Sequence, residues 1–122
     1  MTRLGRLLRL QYSSPLCTIQ VFDGETPVAE LSRQQGRYLF RYLETFKRKG
    51  LTPFPGLPDI DEVYESAELF PYFAERIPDT TVPAIRNWIS RKGLAIDDKL
   101  ALLTELGRTV ATDSYEIRLK AD

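Results

Sequence analysis

Pro71, Pro78, Pro83, Gly93 and Gly107 punctuate residues 63–108, and their spacing limits this stretch to three short helical segments. In the first segment Ser66 is the expected N-cap, with Glu68 placed to meet the helix dipole, Pro71 in the opening turn and Pro78 as the stop. Leu69, Phe70, Phe73 and Ile77 recur at helical spacing and define a core-facing stripe. The second segment is expected to be capped by Asp79 or Thr80, with Pro83 in its first turn, Ile85, Trp88 and Ile89 on one face, and Gly93 past its end. Arg91 and Lys92 fall where cations suit a helix C-terminus. The third is capped by Asp97, faces Leu100, Leu103 and Leu106 inward, and closes at Gly107.

The flanking sequence has a different period. Cys17, Ile19 and Val21 alternate with Thr18, Gln20 and Phe22, and Asp23-Gly24 follows as turn chemistry. Val28 to Leu31 returns, Gln34 to Gly36 turns again, and Tyr38, Phe40 and Tyr42 alternate with Arg37, Leu39 and Arg41. Tyr115, Ile117 and Leu119 alternate as a last strand. The expected fold is therefore α+β: an antiparallel sheet made of a three-strand meander plus a C-terminal strand, covered on one face by three short helices.

A chain of 122 residues supports one core, assigned to residues 17–122. Residues 1–16 form a basic extension containing Arg3, Arg6 and Arg9, or an edge strand built on Leu4, Leu7, Leu8 and Leu10. No apolar run is long enough to span a membrane, Arg6 and Arg9 interrupt any secretory core, and the single Cys17 fits a reducing compartment. A cytoplasmic protein is expected. Net charge is zero, yet residues 1–50 carry nine Lys/Arg against four Asp/Glu and the remainder carries eight against thirteen. The two halves either neutralise each other or leave a dipolar surface for a partner.

Catalytic constellations are scarce. Without histidine, neither a Cys-His pair nor an imidazole-ligated metal can form, and the carboxylates Asp59, Asp61, Glu62 and Glu65 lack the spacing of a calcium loop. A solvated acidic edge is the expectation, with no cofactor and no enzyme activity. Binding is the remaining class. Trp88 is the first candidate anchor, as either an interface or a core residue, with Arg86 beside it and Phe54 and Tyr72 as secondary candidates. Phe54 lies in the Pro/Gly-rich segment 50–61, as a knob for a partner or an anchor for the loop. Nucleic-acid binding is the alternative, through Arg37, Arg41, Lys47, Arg48 and Lys49 with Tyr38 and Tyr42 interleaved.

The order VFDGETPVAELSRQQGRYLFRY, LFPYFAERIPD, a further helix, then DDKLALLTELGR and a closing strand resembles the N-terminal subdomain of HipA-type serine/threonine kinases, over about Thr18 to Leu119. The segment PFPGLPDIDEVYESAELFPYFAERI also resembles the region that precedes HIRAN domains. The kinase core has no counterpart in this sequence, which contains neither a Gly-rich nucleotide loop nor an H-R-D-like segment. A detached copy of this subdomain is similar to the small antitoxin of HipBST-type systems. That resemblance implies binding and inhibition of a HipA-like kinase in trans, with a DNA-binding protein as a third component.

Overall fold

The computed structural model describes residues 18–120. Cys17 and the N-terminal segment, with its arginines and leucines, lie outside the described residues. Five strands, β1 (Thr18–Asp23), β2 (Thr26–Gln34), β3 (Arg37–Tyr42), β4 (Tyr64–Ser66) and β5 (Tyr115–Leu119), form one antiparallel sheet in the order β4-β3-β2-β1-β5. The described helices are α1 (Glu44–Lys49), α2 (Pro71–Ala74), α3 (Pro83–Arg91) and α4 (Lys99–Leu106).

The expected α+β architecture is present, with two additions. α1 follows the meander directly, buries Phe46 and ends at Gly50. β4 occupies the point where Ser66 was expected to cap a helix. Ser66 instead completes the strand, and its hydroxyl accepts from the Glu68 amide, while the helix starts only at Pro71. The second expected cap also differs: Asp79 accepts from the Thr81 amide and hydroxyl, ahead of an α3 that begins at Pro83. For α4 the cap is Asp98 rather than Asp97, accepting from the Ala101 amide at 3.3 Å.

Period-two alternation sorts the sheet into two faces. Ile19, Val21, Leu31, Tyr38, Phe40, Tyr42 and Ile117 point inward and are buried with Phe46, Phe73, Leu100 and Leu103 of the helices. The β1–β2 ladder slips between Val21 and Phe22, and Val28 and Ala29 are consequently buried side by side. Between β2 and β3 the turn residues Gln35 and Gly36 both have positive φ, 53° and 77°, the twist that suits a two-residue hairpin. α4 is apolar almost all round and requires cover on two sides. Leu100 and Leu103 join the sheet core, whereas Ala101 and Leu102 are buried outside it, as is Ile89 of α3.

Candidate docking surface

The proline-rich segment 50–61 is anchored rather than free. Phe54, Pro55, Gly56 and Leu57 form a turn closed by a 3.0 Å bond from the Leu57 amide to the Phe54 carbonyl, and Gly56 has the φ of +80° that its third position demands. The Tyr42 hydroxyl holds both ends, donating to the Leu57 carbonyl at 2.6 Å and accepting from the Phe54 amide at 2.8 Å. Burial pushes that phenol up to about 12, an effect the Phe54 amide partly opposes. Phe54 is 3% exposed, stacked on Tyr72 at 4.5 Å and packed against Tyr42, Phe46 and Tyr115. It is the anchor of its loop, not a knob.

Tyr72 is likewise turned inward. Its hydroxyl donates to Asp113 Oδ2 at 2.7 Å, and burial first, then that carboxylate, raises its pKa. Beside it lies a residue the sequence does not flag: Arg76, 5% exposed and buried by the fold. Its Nε donates to the Gly107 carbonyl, Nη1 to the Asp113 carboxylate, and Nη2 to the carbonyls of Arg108 and Tyr115. All the guanidinium nitrogens are thus spent on one segment, fastening the α4–β5 connection to the end of α2. Gly107 is required there because a Cβ would stand 2.9 Å from the Arg76 carbonyl oxygen.

The cations of the nucleic-acid reading fall elsewhere. Arg37 and Arg41 occupy the open face of the sheet, and Tyr38 and Tyr42, being one residue out of phase, face the core. Interleaving in sequence therefore becomes separation in space, and no base can stack on those tyrosines beside those arginines. Arg37 pairs with Glu65 at 2.6 Å and Arg41 with Glu30 at 2.9 Å. Lys47 pairs with Asp61 and Lys49 with Asp23, while Arg48 is exposed. Burial disfavours the Glu30 carboxylate, but hydrogen bonds from Arg41, Gln20 and Lys120 together hold its pKa below the ordinary value. A shallow cleft of about 300 Å³ crosses this face, lined by Glu30, Leu39, Arg41, Val63 and Lys120 among others.

α3 is the least embedded of the longer helices. Ile89 is its one fully buried residue, Ile85 and Trp88 are half-buried, and Ala84, Arg86, Asn87, Ser90 and Arg91 are exposed. The Lys92 ammonium stands 5.5 Å from the Trp88 ring centroid. Val82, just before the helix, is 42% exposed, and Ile96, after it, is 44% exposed. Trp88 is thus neither fully buried nor fully exposed, and it is not part of the sheet core. Arg86 does not share its face. Two residues at 100° each put the pair roughly 160° apart around the helix, so neighbours in sequence serve opposite flanks.

Among the described residues no three His, Cys, Asp or Glu side chains gather as metal ligands, and no helix is long and apolar enough to cross a membrane. Residues 19–111 match the HipA N-terminal domain family. The chain belongs to that family. The match spans the meander, the loop turn held by Tyr42, the Arg76 fastening to Arg108 and the whole of α3 and α4. No curated protein matches the chain. A HipA N-terminal domain is not catalytic by itself, and it places the chain in a HipA-type, toxin–antitoxin-related context.

Proposed function

We propose that this HipA N-terminal domain is a protein-binding module that docks on a HipA-type serine/threonine kinase in trans and inhibits it, as an antitoxin does. The observation that carries the reading is the half-buried Trp88 on α3, bounded by exposed Val82 and Ile96, in a domain whose other aromatic candidates are turned inward. A domain related to part of a kinase retains the face complementary to the rest of that kinase, and cohesion within one chain becomes binding between two. Such an interface buries roughly 1,200–2,000 Å² and depends on a few aromatic or arginine anchors. Trp88 is the anchor we assign, with Arg86 at the rim on the far flank of α3. Phe54 and Tyr72 act indirectly, by fixing the loop and α2 against the core.

The test is a phosphorylation assay with a HipA-type kinase encoded beside this chain, together with co-purification of the two. The reading predicts a stable complex and suppressed phosphoryl transfer. Full kinase activity in the presence of excess domain, with no complex, would contradict it. A DNA-binding third component is part of the same proposal and is tested by whether it enters the purified complex.

A further inference from the structure

Between Thr80 and Ile96 the chain carries Arg86, Arg91 and Lys92 and no acidic residue, although residues 51–122 as a whole are acidic. None of these three is ion-paired with another described residue. Arg37 and Arg41 of the sheet and Lys47 and Lys49 of α1 each have a carboxylate partner, whereas Arg33, over the Tyr38 ring, and Arg48 have none among the described residues. Cations left without a carboxylate partner beside a partly buried tryptophan define a chemistry for whatever covers it. Arg91 and Lys92 stand three and four residues after Trp88 and share its flank. Lys92 already lies against the indole ring.

We propose that the flank of α3 bearing Trp88, Arg91 and Lys92 docks on an acidic protein surface with an apolar centre. Trp88 enters the apolar centre, and the two cations meet carboxylates at its rim. This inference rests on the reading above and specifies the kinase surface that is contacted. Complementary rim charge acts mainly on the rate of encounter and on its salt dependence. The exposed apolar residues Val82, just before α3, and Ile96, in the connection from α3 to α4, favour a protein over nucleic acid, because a phosphate backbone offers them no apolar partner.

Association rates of the chain with the HipA-type kinase, measured over a range of salt, test the inference. The rate falls as salt rises, and the double variant Arg91→Glu/Lys92→Glu associates on the order of tenfold more slowly at low salt, with a flattened salt dependence. Arg91→Gln/Lys92→Gln lies between the two. Thermal unfolding of each variant separates this from an effect on the C-terminal turn of α3, where cations also favour the helix. If the reversed variant is unfolded, the salt dependence of the unaltered chain decides. Tight binding that ignores salt, or that the reversal leaves unchanged, overturns this inference and leaves the kinase reading standing. Absence of any kinase complex overturns both. Tighter, salt-sensitive binding to duplex DNA, lost in the same variant, would give the surface to nucleic acid and overturn the inference.

Discussion

Tyr42 and Arg76 hold the loops around the core, each through several hydrogen bonds made by one side chain. Replacing Tyr42 by Phe strands the Phe54 amide and the Leu57 carbonyl, at about 1–3 kcal/mol, read as a lower denaturant midpoint with the fold kept. The same residue sets an alkaline limit. Its folded pKa of about 12 exceeds the ordinary phenol value, so its contribution is complete below about pH 10 and lost as pH rises through about 12. Denaturant midpoints measured across that window should fall more steeply for the parent than for Tyr42→Phe. Arg76→Ala removes the cationic partner of Asp113, which keeps only the Tyr72 hydroxyl and the Tyr115 amide, and takes the guanidinium from the carbonyls of Gly107, Arg108 and Tyr115; it should cost about 3 kcal/mol, measured by equilibrium unfolding, and Arg76→Lys restores only part of this because an ammonium cannot reproduce the planar fork. Nothing in the sequence marks Arg76 as buried, since arginine is ordinarily exposed and its partners lie more than thirty residues away. Trp88 was legible as a candidate, but its half-exposed position required the packing of α3.

At the scale of elements, the strands with clean alternation and turn chemistry were readable in advance, because burial of one sheet face leaves a period of two in the sequence. β4 was not. Its three residues are too few to show a period, and Ser66 with Glu68 imitates a helix start. α1 escaped for a similar reason: six residues with one buried side chain, Phe46, leave no stripe to count. The α4 cap shows the limit of local chemistry, since Asp97 and Asp98 are equivalent in sequence and only the geometry selects Asp98. Asp98→Ala should therefore cost about 1 kcal/mol of stability while Asp97→Ala leaves thermal unfolding nearly unchanged. Equal losses in the two variants would place the cap differently.

For the whole molecule, the sheet buries its aromatic side under the helices and satisfies the charges of its open side internally. α3 departs from both habits: its tryptophan is only partly buried and its cations have no carboxylate partner among the described residues. The family match makes the molecule part of a HipA-type context, and the position of α3 is our reason for assigning the kinase contact to that helix. Affinity of Trp88→Ala for the HipA-type kinase, measured alongside its thermal unfolding, tests this most directly. Binding should weaken by about 2 kcal/mol or more, roughly thirtyfold in Kd, with the unfolding temperature nearly that of the parent. Unchanged affinity, or a loss that appears only because the variant unfolds, would contradict it.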